Sequence, residues 1–250
     1  MCLHTGDISI RSPARRPGDT PTSAEPTPLH DLAVLVPEHA ATDSLSQQAY
    51  YLLRDRIVTL RLAPGTLVNE RELMDEFGLG RTPIREALRR LADDGLVEVF
   101  PRRGIYVGPV DVGDLGAISE IRVELEGFVA RLAAERATAT DRADLRALLD
   151  ELESHSGSYD ERELIHIDQR LHRLIYRAAR NPFLEAALER YFVLALRLWF
   201  LALDRVQHLE SAVHEHRELL EAIERGDAAT AETVARDHVS AFEAQIRALL

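Results

Sequence analysis

Asp168 and His172 stand four residues apart in a helical period, and His216 and His238 follow in two later helical stretches. Carboxylate oxygen and imidazole nitrogen together suit a divalent cation. Facing decides which of the ten histidines can take part. On the stretch 160–179, Asp168 and His172 share a side with Ile165, Leu171 and Ile175, whereas His166 aligns with Arg162, Gln169 and Arg173. The first pair is therefore expected to point inward and His166 outward. By the same reasoning His216 sides with Val213, Leu219, Leu220 and Ile223, away from His214, and His238 lies with Val234, Ala241 and Phe242. Any one of these alone is more simply a core histidine with its hydrogen bonds satisfied. Three inward histidines and an inward aspartate need partners, which a bound divalent metal ion supplies. Zn, Ni, Mn and Fe all accept this donor set, and the residues do not choose among them.

Arg122 sits with Ile118, Leu125 and Val129 on the inward side of the stretch 114–137, with Glu126 one turn on. Two readings stand: a buried ion pair with Glu126, or a clamp for a small carboxylate effector whose other oxygens complete the metal shell. Arg197 and Trp199 are weaker pocket candidates, because the run Tyr191 to Leu203 reads equally well as plain core.

A different chemistry is suggested by Arg81, Arg85 and Arg89, at successive i,i+4 positions opposite Ile84, Leu88 and Leu91. Such a stripe alone is usually a solvated face, so its meaning depends on what surrounds it. A helix is predicted over 45–60, closed by Ala63-Pro64-Gly65, and a second over 70–77, closed by Gly78-Leu79-Gly80. The third starts at Thr82-Pro83, with Thr82 as N-cap, and ends at Asp93-Asp94-Gly95. Two extended runs, 96–100 and 105–110, flank the tip Pro101-Arg102-Arg103-Gly104. Three helices and a β-hairpin with a basic tip make a winged helix-turn-helix over 43–110. From 111 to 250 the periodicity is helical throughout, predicting an all-helical antiparallel bundle, so the fold class is mainly α. Residues 1–42 hold six of the eleven prolines and no sustained period, which reads as a disordered arm. Arg11, Arg15 and Arg16 within it read as solvated.

Composition narrows the function classes. The single cysteine, Cys2, excludes an intrachain disulfide, a thiolate metal cluster and a buried cysteine nucleophile. No apolar run reaches the roughly 20 residues of a membrane span, and a cytoplasmic location is expected. The net charge of −12 argues against indiscriminate nucleic-acid binding, but it is unevenly distributed. Residues 46–110 hold 10 arginines against 9 carboxylates, whereas 111–250 hold 17 against 27. The acid is thus kept away from the basic helix and hairpin. Lysine is absent, so every fixed cation is arginine, which pairs bidentately with phosphate and guanine.

The run LAPGTLVNERELMDEFGLGRTPIREALRRLADDGLVEVFPRRGIYV closely resembles the N-terminal domain of GntR-family regulators. By position, the resemblance implies DNA contacts from Arg71, Arg81, Thr82 and Arg85, with Arg102, Arg103 and Gly104 on the wing. Arg81 and Arg85 are the expected base readers. Gly80 stands where the family usually has serine or threonine, which leaves only a backbone N–H for phosphate there. ISEIRVELEGFVARLAAERA, IDQRLHRLIYRAARNP and HEHRELLEAIERGDAATAETVARDHV resemble the FCD ligand-binding domain of the FadR-like subgroup. In its metal-binding members an Asp and a His four apart are joined by one His from each of two later helices, a pattern that Asp168, His172, His216 and His238 fit. The resemblance also implies a small organic-acid or sugar-acid effector and favours the clamp reading of Arg122.

The expectation is therefore a homodimeric regulator reading an inverted repeat in double-stranded DNA, more often a repressor, with an effector acting through the helical domain. A metal-dependent hydrolase is the rival from another class, but no separate general base has a good claim. A constitutive DNA binder with a purely structural metal is the third reading.

Overall fold

The computed structural model describes residues 29, 32–37, 40, 42–111, 113–154, 161–202 and 209–250. Arg11, Arg15 and Arg16 lie outside them, as does the side chain of His214. The first three helices are α1 (Leu45–Val58), α2 (Glu70–Phe77) and α3 (Arg81–Asp93), followed by the antiparallel hairpin β1 (Val97–Phe100) and β2 (Gly104–Val107). Ile84, Leu88 and Leu91 on α3 are buried with Leu53 and Ile57 of α1, while Arg81, Arg85 and Arg89 are exposed. The amphipathic division read from the sequence is thus the division between core and surface. The hairpin pairs Val97 with Val107 and Phe100 with Gly104. Residues 65–68 run along the other edge of β2, with Val68 N–H donating to Ile105 O at 2.8 Å and Val107 N–H to Thr66 O at 2.9 Å.

Local chemistry explains the boundaries. Asn69 caps α2, its Oδ1 accepting from Arg71 N–H at 3.1 Å and Glu72 N–H at 3.4 Å. Asn69→Ala is expected to cost about 1 kcal/mol, read as a lowered urea midpoint with unchanged helix content in the native protein. The N-cap of α3 is Gly80 rather than Thr82. Arg81 and Thr82 already belong to the first turn, which also holds Pro83, whose missing N–H has no helical acceptor to lose there. At the wing tip Gly104 has φ +112°, and a Cβ there would lie 2.8 Å from Leu67 Cδ1. Gly104→Ala should destabilise the wing by about 1–3 kcal/mol, seen as lower affinity for any DNA that the wing touches with the C-terminal domain still folded.

Six helices follow: α4 (Gly113–Arg136), α5 (Ala139–Ser154), α6 (Glu161–Ala178), α7 (Pro182–Ala202), α8 (Leu209–Arg225) and α9 (Ala228–Leu249). α4 and α9 run antiparallel along most of their length. Gly116 approaches Arg247, Glu124 pairs with Arg236 and Arg131 with Glu232. Gly127 permits this closeness, because a Cβ there would fall 2.7 Å from Arg236 Cγ. α7 is buried over most of its faces, including Leu188, Phe192, Val193, Leu196 and Trp199, as an apolar run too short for a membrane requires. No helix of the described residues is long and apolar enough to cross a membrane.

The unstructured arm expected through residue 42 is corrected at its C-terminal end. Leu32 and Val34 are buried, and the backbone from 32 to 35 is held on both sides. Val34 N–H donates to Asp55 Oδ1 at 3.0 Å, Leu35 N–H to Gln169 Oε1 at 2.8 Å, and Gln169 Nε2 to Ala33 O at 2.8 Å. Gln169 is fully buried and His166 Nε2 lies 3.2 Å from Leu32 O. The α6 face expected to meet solvent is therefore covered by this strap, because the Gln169 amide pairs with a backbone N–H and C=O as a neighbouring strand would. Arg54, also buried, joins the same junction: its guanidinium donates to Leu35 O at 2.5 Å and to Glu189 Oε1 at 3.1 Å. Glu189 in turn accepts from Arg173 at 2.8 and 2.9 Å. Burial opposes the Glu189 charge, but Arg173 and Arg54 prevail and hold its carboxyl below the ordinary range.

Candidate metal centre and nucleic-acid interface

Asp168 and His172 on α6, His216 on α8 and His238 on α9 converge on one point in the bundle. One ligand atom from each lies within 4.8 Å of the others. Asp168, His172 and His216 are buried. His172 Nε2 is 3.7 Å and His216 Nε2 3.6 Å from Asp168 Oδ1, and the His216 and His238 rings are 4.2 Å apart. An ion bound at about 2.0–2.2 Å holds its ligand atoms roughly 3–4 Å apart, so small side-chain movements close this set around one. Three imidazoles and a carboxylate fit Zn, Ni, Mn or Fe alike.

Glu126 of α4 completes the surroundings in a way that sequence reasoning missed. Its Oε2 lies 3.6 Å from His172 Nδ1, on the side of the ring away from Asp168, where a carboxylate fixes tautomer and orientation of a metal-ligating histidine. Its Oε1 accepts from Tyr176 Oη at 2.6 Å and from Arg122 Nη2 at 3.0 Å. Burial raises the Glu126 carboxyl, and His172, Arg122 and the Tyr176 hydroxyl outweigh it, holding it at about 2. Burial and the neighbouring Glu126 charge push the Tyr176 hydroxyl well above its ordinary value. The buried Arg122–Glu126 pair is formed, and Arg122 still keeps its buried Nε without a hydrogen-bond partner. Its guanidinium lies between Phe192 and Phe242, 5.7 and 5.8 Å from the ring centroids. The i,i+4 spacing of Arg122 and Glu126 was visible in the chain; the reach of Glu126 to a histidine 46 positions later was not.

Of the two weaker candidates, Trp199 packs edge-on to Phe242, with centroids 6.2 Å apart. Arg197 turns away to the connector after β2, donating to Gly108 O at 2.7 Å.

A second surface gathers arginines. Arg71, Arg81, Thr82, Arg85, Arg102, Arg103 and Gly104 are all exposed. Arg85 Nε donates to Glu70 Oε2 at 2.8 Å, which sets the exposed face of α3 beside the start of α2. The antiparallel bridge between Leu67 and Tyr106 ties the wing to the segment that enters α2. Among the described residues Arg71, Arg81, Arg89, Arg102 and Arg103 have no ion-pair partner. Charges left uncompensated on a helix-turn-helix and its wing form an electrostatic footprint for a phosphate backbone.

Comparison with known proteins finds a family match in each half of the chain. Residues 45–107 match the family described as "Bacterial regulatory proteins, gntR family", and residues 117–241 match "FCD domain". The chain is 27% identical over 206 residues to the HTH-type transcriptional repressor RspR of Escherichia coli (strain K12), covering 82% of this chain and 90% of that protein. It is 30% identical over 196 residues to the uncharacterized HTH-type transcriptional regulator YdhC of Bacillus subtilis (strain 168), covering 78% and 85%. Among solved structures, E. coli McbR/YncC is similar with a TM-score of 0.71 at 27% identity, over 81% of this chain and 97% of that one.

Proposed function

From the premise that this chain belongs to the GntR family of bacterial transcriptional regulators and carries an FCD domain, we propose that it is a repressor whose operator affinity is set by a small organic acid bound beside a divalent metal. Like its relatives, it is a DNA-binding regulator rather than an enzyme. The observation that carries the effector reading is the convergence of Asp168, His172, His216 and His238 next to Arg122, which retains a buried donor. A bound cation supplies fixed positive charge for the oxygens of an organic acid. Arg122 orients the acid's carboxylate, Glu126 holds His172, and Phe192 and Phe242 keep water from the guanidinium.

α7 offers a route from this cavity to the DNA reader. Phe192 sits 4.8 Å from the His172 ring, and Glu189, one turn earlier, holds Arg54 of α1. A ligand that shifts Phe192 therefore acts on a helix that is tied to the reader domain. Two readers in a cytoplasmic homodimer would meet an inverted repeat, since one recognition helix gives too few contacts for a specific site.

Fluorescence anisotropy of the purified protein with DNA from its own promoter region, against scrambled DNA at about 0.1 M salt, tests the reading. Selective binding that organic acids weaken, and chelators render unresponsive, is the expected result. Equal affinity for both DNAs would overturn the regulator's specificity, and selective binding indifferent to acids and chelators would leave a constitutive binder.

A further inference from the structure

A second pocket lies at the junction of the two halves. Val110 of the connector, Ile118 and Ile121 of α4, and Leu194 and Leu198 of α7 enclose about 270 Å³, and Arg197 lines the same cleft. Arg197 is only 3% exposed. Its Nη2 and Nη1 donate to Gly108 O at 2.7 Å and Pro109 O at 3.4 Å, while its buried Nε has no hydrogen-bond partner. Among the described residues no carboxylate pairs with it, and burial alone pulls the guanidinium down to about 10. A desolvated cation without a counter-anion, set against an apolar wall, is an unfavourable arrangement that an entering anion relieves.

We propose that this cleft binds a small monocarboxylate with an apolar body, at a site separate from the metal cavity. The carboxylate is acceptor-only and matches the guanidinium edge, and the aliphatic walls take the hydrocarbon. The rim sets the charge class. Asp111 and Asp114 are exposed there, and Asp111 Oδ1 accepts from Gly113 N–H at 2.7 Å. Two carboxylates at the mouth disfavour di- and tricarboxylates and nucleic-acid phosphate while leaving room for one buried negative charge. Because Gly108 and Pro109 directly follow β2, an occupant of the cleft competes for the arginine that holds the connector of the wing.

The test is calorimetric titration of the full chain with hexanoate, in chelated and metal-supplemented protein, with 1-hexanol as the neutral isostere and citrate as the polyanion. One hexanoate per chain is expected in both metal states, with citrate excluded from the chelated protein. Arg197→Gln should lower hexanoate affinity at least tenfold and leave hexanol within about twofold. Ala117→Phe, from an exposed rim position, should block both ligands with Arg197 intact, and it carries the test if the first variant does not fold. Hexanoate binding that survives Ala117→Phe, or that disappears on chelation, overturns the proposal. The second of these results would assign hexanoate to the metal cavity, so the two sites fail separately.

Discussion

Arg85→Ala should lower affinity for the operator by about 5- to 150-fold, corresponding to the roughly 1–3 kcal/mol of a lost bidentate base contact. Affinity for scrambled DNA should change far less. Arg85 is 59% exposed and its Nε bond to Glu70 is a surface ion pair, worth at most about 1 kcal/mol. Releasing that partner is thus a small barrier to reaching guanine. The comparison that isolates base reading is Arg103→Ala on the wing, which should weaken both DNAs alike and reduce the salt slope by about 1. Equal losses on operator and scrambled DNA in Arg85→Ala would remove it from the base-reading set and leave it a phosphate contact.

His172→Ala should abolish stoichiometric metal binding and with it the response of DNA affinity to organic acids, while unliganded operator binding persists. His172 lies between Asp168 on one ring nitrogen and Glu126 on the other. A milder companion is Glu126→Gln, which keeps all four ligands but removes the negative charge shared by His172 and Arg122; metal affinity should fall about 10- to 100-fold. Elemental analysis after dialysis against defined metal and anisotropy with added acids read the two effects. Full metal occupancy in His172→Ala would exclude the proposed centre. Full metal with a lost acid response would restrict the role of His172 to the effector.

Much of this was legible in the chain because amphipathic periodicity is a local property. Ile84, Leu88 and Leu91 mark the buried side of α3 by their spacing alone, and the same rule turned Asp168, His172 and His216 inward, where they are buried. Turn chemistry placed the hairpin and its arginine tip, although the cap of α3 moved two residues because a glycine in extended conformation suffices there.

Local periodicity, then, reveals which side of each helix avoids water and which residue types that side carries. Tertiary packing alone decided which inward groups meet: that α6, α8 and α9 bring four ligand atoms within 4.8 Å, and that Glu126 of α4 backs His172. It also decided which polar faces are not solvated. Gln169 reads as a surface residue and is buried under the strap, and Arg197, a weaker pocket candidate by its sequence, holds the connector of the wing. The physical reason is common to all of these. Burial of an apolar face is favoured against any neighbour, so period reveals it, whereas a polar group is buried only where one specific partner satisfies its hydrogen bonds. That partner lies far along the chain, and only the folded arrangement brings it near.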